Sequence, residues 1–162
     1  YITRQGFDNP SKIRKGTPTN FCIGVAAHPD HDPHEDAVAY LGRKVEMGAN
    51  FAITQMLFSG DSYSKFLESC AKKGIQIPII PGLRIITQAS TADRMIKKFG
   101  LKIPSSLIEK LQKAQTKEEG KEIGLEFTRK LCDQLLAAGA PGIHVFVMSD
   151  EETATELLKS LK

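Results

Sequence analysis

The sequence has no apolar run near the roughly 18 residues that a membrane-spanning helix needs, no lysine- or arginine-rich tract, and only three cysteines, Cys22, Cys70 and Cys132. The first absence removes the main sign of a membrane partner, and no secretory leader is visible. Net charge is +3, with the lysines spread over helical segments, so nothing marks a nucleic-acid surface. The cysteines are odd in number, far apart and set in apolar or helical patterns. That usage fits free buried thiols in a reducing compartment, and a cytoplasmic location is expected. Phosphate-loop and nucleophile signatures are missing too: there is neither a Walker loop nor a GxGxxG, and neither Ser59 nor Cys70 lies in an elbow motif. A phosphate-bearing cofactor would have to be held by scattered basic groups.

What is present is ordinary for a globular domain. The 162 residues are 41% hydrophobic and 25% charged, enough for one sizeable core. Tyr1 stands in a polar segment rather than at an initiating methionine, so a longer polypeptide is expected. Residues 1–20 carry Gly6, Pro10, Gly16 and Pro18 without periodicity and read as a connecting segment, whose Lys12, Arg14 and Lys15 are a solvated cluster or a phosphate contact. Residues 21–162 read as a single domain.

Three stretches share one pattern: residues 48–58 (GANFAITQMLF), 74–83 (GIQIPIIPGL) and 139–148 (GAPGIHVFVM) each place a glycine after a helical segment and before a buried-looking strand. With a first strand over 21–27, this predicts βα units and a parallel sheet. Helices are expected over about 33–47, from a cap at Ser59 through Cys70, near 90–99, over 107–113, over 120–138 and over 151–161. The last is expected to be capped by Ser149 or Asp150. The order is four βα units with an extra helix in the third, joined by right-handed crossovers.

In parallel α/β folds the working end is where the strands' carboxyl ends and the βα loops meet. That selects the loop beginning at His28 (HPDHDPH, residues 28–34), Gln55, residues 82–87 and residues 148–150. Gln55 follows Phe51, Ala52 and Ile53, and a glutamine is too costly to bury without partners, so it is expected to point into a site. The histidine-rich run invites a metal reading, but its two prolines splay the side chains and only Asp150 stands at a later strand end. No metal site is expected. His144, inside a strand, reads as a structural histidine.

GVAAHP, a helix running into GRKVEMGANFAITQMLF, IPIIPGL and GLEFTRKLCDQLLAAGAPGIHVF together resemble the 5,10-methylenetetrahydrofolate reductase family from about Phe21 to the chain's end. The resemblance implies a (β/α)8 TIM barrel binding FAD, of which this chain is strands five to eight with their helices. It implies hydride transfer from NAD(P)H through FAD to methylenetetrahydrofolate, giving 5-methyltetrahydrofolate in one-carbon metabolism. By the same resemblance Ala27, His28, His31, Asp36, Tyr40, Arg43 and Lys44 contact the cofactor, while Gln55 and Phe146 contact folate. Gln55 would offer its amide as both donor and acceptor.

The chain departs from the family pattern at several positions. His28 takes an aromatic's place, Leu83-Arg84-Ile85-Ile86 follows where methionine or leucine and proline are usual, and Ala89 replaces an aromatic. Phe146 replaces a tyrosine and Asp150 a basic residue. The family's acid glutamate and flavin-tuning aspartate have no counterpart in these residues, so no catalytic residue is assigned and the segment alone is expected to be inactive. The implied partners are the remaining half of the barrel, on another segment or chain, and further copies in a homo-oligomer. Two other readings stand beside this one: a non-catalytic half-barrel serving assembly or regulation, and a metal-dependent hydrolase built on the histidine-rich loop.

Overall fold

The computed structural model describes residues 7–9, 12–13, 20–148 and 150–161. Within the segment read as a connection, β1 (Phe7–Asn9) pairs antiparallel with β2 (Lys12–Ile13) in a small hairpin. Arg14 and Lys15 lie outside the described residues.

The main sheet has four parallel strands: β3 (Gly24–Ala27), β4 (Phe51–Met56), β5 (Ile79–Leu83) and β6 (His144–Val145). Their spatial order follows the chain, β3-β4-β5-β6. A doubly wound sheet would reverse strand order at a switch point. Uninterrupted chain order is instead how a barrel is wound.

Alternation along the strands decides what packs where. On β4, Ala52, Thr54 and Met56 are buried while Phe51, Ile53 and Gln55 are half-buried. Ala27, Ala52, Ile79 and Leu83 form one core with Val38 and Leu41 of α1 (His34–Glu46), Tyr63 and Phe66 of α2 (Gly60–Lys72), and residues of a long later helix. The fully buried Tyr63 donates its hydroxyl to the Ile79 carbonyl at 2.6 Å, tying α2 to β5. Burial pushes its pKa up to about 12.

Between β5 and β6 the chain forms α3 (Ala89–Phe99), α4 (Ser105–Lys113) and α5 (Lys117–Ala137), so the third unit has two additional helices rather than one. Met56, Phe58, Ile86, Met95, Leu107 and Leu111 build a second core beneath them. α6 (Glu151–Ser160) closes the order and is held to α5 by Lys121, which reaches Glu156 at 2.8 Å.

Local chemistry explains the boundaries. Gly48 and Gly74 follow α1 and α2 with φ of 100° and 72°, left-handed values that glycine adopts without a Cβ penalty. Ser59, Thr116 and Asp150 accept from backbone N–H groups at the starts of α2, α5 and α6, so the cap of the last helix is Asp150. α1 has Glu35 and Asp36 in its first turn and Arg43 and Lys44 in its last, matching its dipole.

Two strands are shorter than expected. β3 begins at Gly24, not at 21, because the ladder with β4 begins at Gly24↔Phe51 and Ile23 is engaged at both backbone atoms by Asn50. Phe21 and Cys22 are exposed, which corrects the reading of Cys22 as a buried thiol. β6 spans two residues rather than 142–148: β5 ends opposite Val145, and Met148 turns away at φ 59°.

Two glycines on helices test this packing. A Cβ at Gly124 of α5 would lie 2.4 Å from the Ile86 carbonyl oxygen, whereas one at Gly42 of α1 would meet Ile75 at 3.7 Å. In urea denaturation Gly124→Ala is expected to destabilise by about 1–3 kcal/mol, and Gly42→Ala to stabilise by about 0.5–1 kcal/mol.

Candidate functional site

Gln55 sits near the carboxyl end of β4, half-buried, on the strand face turned away from the helices. Its Oε1 accepts from the Met56 N–H at 3.0 Å. That bond uses one of the oxygen's two lone pairs, so the amide can still offer an acceptor beside its two Nε2 donors. The cavity beside it, about 380 Å³, is bounded by His28, Pro29, Asp30, His31 and Asp32 on one side and by Phe99, Gly100, Leu101 and Lys102 on the other.

A second cavity of about 600 Å³ lies between β3 and α1, lined by Ala26, Ala27, His28, His31, Asp36, Tyr40 and Arg43 among others. Its character comes from one helical turn. Tyr40 is 52% exposed, so its ring is open to a ligand. Lys44 Nζ lies 4.2 Å and the Arg43 guanidinium 5.3 Å from its ring centre. Lys44 also donates to the Ala26 carbonyl at 2.6 Å, and burial lowers its pKa. With one donor used, two ammonium hydrogens remain. An exposed ring beside two cations suits a flat aromatic ligand that carries phosphate.

His28 and His31 line both cavities and so form a shared wall. The His28 pKa is lowered, first by burial, then by Lys44 and His31. All three effects favour the uncharged imidazole.

At the other end of the sheet, Phe146 is half-buried and meets the His144 ring edge-to-face at 4.6 Å. Its ring lies over Gly82, where a Cβ would come within 2.6 Å of it. His144 is therefore packed, as its place in a strand implies. Asp150, the charge reversal noted in the sequence, serves the fold, since its carboxylate accepts from Thr153 N–H at 3.2 Å as the cap of α6. Arg84, just past β5, is half-buried with its pKa lowered by burial and Arg94, and raised in part by Asp150.

Several sequence expectations shift. Ala27 borders the larger cavity but is only 2% exposed and packs in the helix-facing core, whereas Ala26 is exposed. Period-2 alternation is the signal that separates the two. Phe99, Leu101 and Lys102 carry no such signal, because nothing local in the sequence places the α3–α4 loop beside Gln55. Cys70 and Cys132 are buried, with pKa values pushed up to about 11, chiefly by burial, so both stay protonated thiols. Among the described residues no three His, Cys, Asp or Glu side chains gather as a metal cluster, and no helix is long and apolar enough to cross a membrane.

A parallel sheet wound in chain order, with its polar residues gathered at the strands' carboxyl ends and two cavities there, defines an α/β barrel-type protein with its site among the βα loops. The family model for methylenetetrahydrofolate reductase matches residues 10–162, and the chain belongs to that family, whose domain is a TIM barrel. The four-stranded sheet is consistent with half of such a barrel.

The chain is 34% identical over 155 residues to the Caenorhabditis elegans protein named "Probable methylenetetrahydrofolate reductase (NADPH)", covering 92% of this chain and 23% of that one. It is 26% identical to the 5,10-methylenetetrahydrofolate reductase of Escherichia coli, covering 88% of this chain and 50% of the relative. The chain thus spans half or less of these relatives' lengths. Among solved structures, a Clostridium thermocellum protein described as binding two copies of 5-methyl-5,6,7,8-tetrahydrofolic acid superposes with a TM-score of 0.64 at 21% identity. That match covers 88% of this chain and 54% of that one, and shows the fold.

The wall between the cavities can be titrated. Because the folded His28 pKa is depressed, unfolding takes up protons below about 6.5, so this residue's contribution to stability is lost as pH falls from there towards the folded value. An NMR titration of His28 is expected to give a midpoint below that of an unperturbed histidine, rising in Lys44→Met. A midpoint at or above the unperturbed value would contradict the electrostatics.

Proposed function

We propose that this chain is the half of a flavin-dependent 5,10-methylenetetrahydrofolate reductase that carries strands five to eight. The observation that carries this reading is the pair of cavities sharing His28 and His31 as a wall, one beside Tyr40, Arg43 and Lys44, the other beside Gln55. Hydride transfer needs cofactor and substrate side by side, and adjoining cavities meet that need.

The residues of the larger cavity fit FAD. Arg43 and the remaining Lys44 donors would hold phosphate or ring oxygens, Tyr40 would cover an aromatic ring, and the small Ala26 side chain would allow close approach of a flat group. FAD, when bound, supplies the redox chemistry, accepting hydride from a reduced nicotinamide nucleotide and passing it to the folate methylene carbon to give 5-methyltetrahydrofolate. Asp36 and His31 complete the cofactor rim, and the Gln55 amide orients the folate ring as donor and acceptor. Phe146 offers an apolar face without the hydroxyl usual in the family, so folate would be held there by packing alone.

The acid glutamate and the flavin-tuning aspartate belong to the remaining half of the barrel. That half would also cover β3 and β6, the two outer strands of the sheet, and the half-buried Phe51, Ile53 and Ile80. The assembled enzyme is read as a cytoplasmic homo-oligomer. Relatives are named for NADPH or for NADH, and either donor is compatible with these residues.

The protein in its longest natural form is expected to purify with flavin absorption and to reduce methylenetetrahydrofolate. Gln55→Ala should raise KM for the folate about tenfold, the size of one lost hydrogen bond to a ligand. Colourless protein that takes up no FAD would overturn the reading.

A further inference from the structure

Thr54 is a buried polar side chain that the proposed chemistry does not use. It is 1% exposed, between Ala52 and Met56 on the helix-facing side of β4. Its hydroxyl is engaged twice: Oγ1 donates to the Gln55 carbonyl at 2.8 Å and accepts from the Gly82 N–H at 2.8 Å. These bonds lie where the β4–β5 ladder breaks. Pairing runs Ala52↔Ile79, Ile53↔Ile80, then Met56↔Gly82, so β4 takes three steps while β5 takes two. One residue of β4 is extra, as in a bulge, and the Thr54 hydroxyl supplies the acceptor that Gly82 would otherwise find on the strand backbone.

The break also directs Gln55. The Met56 N–H donates to Gln55 Oε1 at 3.0 Å, while the Leu57 N–H resumes pairing with the Gly82 carbonyl at 2.9 Å. Gln55 Oε1 is therefore held by a backbone donor at the ladder break, which fixes the amide of a side chain that lines the smaller cavity. Gly82 in turn lies beneath the Phe146 ring, so the same junction supports the second expected folate contact.

We propose that Thr54 is the positioning residue for Gln55: its hydroxyl closes the β4–β5 bulge and thereby fixes the place from which the Gln55 amide meets the folate. This rests on the reading of Gln55 as a folate contact. Thr54→Val keeps the shape and removes the hydroxyl, leaving Gly82 N–H buried without its acceptor. In the active, full-length protein it is expected to raise KM for folate about tenfold with kcat changed by less than about threefold, and Thr54→Ser to recover KM within about twofold. In a Gln55→Ala background Thr54→Val should add little, because the two act as one unit.

An unchanged KM in Thr54→Val, an equal KM effect in both backgrounds, or a joint loss of kcat and KM effects that serine does not rescue would each overturn the proposal. Hydrogen exchange separates it from the folate reading: Thr54→Val should deprotect the Met56 amide, and unchanged protection refutes the positioning role whatever Gln55 binds. A Gln55→Ala protein with unchanged KM would instead refute the folate reading and with it this inference. If Thr54→Val does not fold, Thr54→Cys, of similar size with a weak donor, is subject to the same outcomes.

Discussion

The alternation of β4 governs the sheet, the helix layer and the site together. Ala52 and Thr54 turn to the side where α1, α2 and α5 bring an apolar layer, and Met56 packs into the second core with residues of α3 and α4. Phe51, Ile53 and Gln55 are then committed to the other face. A one-residue slip would exchange the two sets, placing Gln55 under the helices and Met56 at the strand tip. The parallel ladders to β3 and β5 hold the register, and the site inherits it.

Placement at the carboxyl ends follows from the same geometry. Each strand delivers its last outward side chain to one rim, and each following helix begins there with its positive end. α1 carries Asp36, Tyr40 and Arg43 along one wall of the larger cavity, and Lys44 reaches back to the Ala26 carbonyl, joining helix to strand. The loop between β3 and α1 then lies between the two cavities, where burial and a neighbouring ammonium lower the His28 pKa. The departures at Phe146 and Asp150 read differently once the fold is known: one ring covers Gly82, and the other side chain caps α6.

Much of this is legible in the residues. Glycines after helical segments, caps at Ser59 and Asp150, and the i, i+3, i+4, i+7 stripe from Tyr63 to Cys70 are local signals, and the helices and parallel strands they imply are present. Of the residues the resemblance marks, Ala27, His28, His31, Asp36, Tyr40, Arg43 and Gln55 line one or both of the two cavities, Lys44 reaches the Ala26 carbonyl, and Phe146 lies apart, over Gly82. Strand lengths are less legible, because a ladder's length depends on its partner. β3 starts where β4 can pair with it, and β6 stops near the end of β5. Cys22 reads as buried for the same reason: its apolar neighbours suggest strand, but no strand lies beside it among the described residues.

The alternation of strand and helix, the helix-facing stripes and the residue types at the strand tips are written in the chain's local patterns, since periodicity and turn chemistry act over a few neighbouring residues. Tertiary packing was needed to settle that Ala26 rather than Ala27 is open beside the larger cavity, that Phe99, Leu101 and Lys102 come round to face Gln55, and that a threonine hydroxyl mends the β4–β5 ladder. Those are contacts between segments far apart in the chain. Their energies depend on register and approach distance, which no local pattern records.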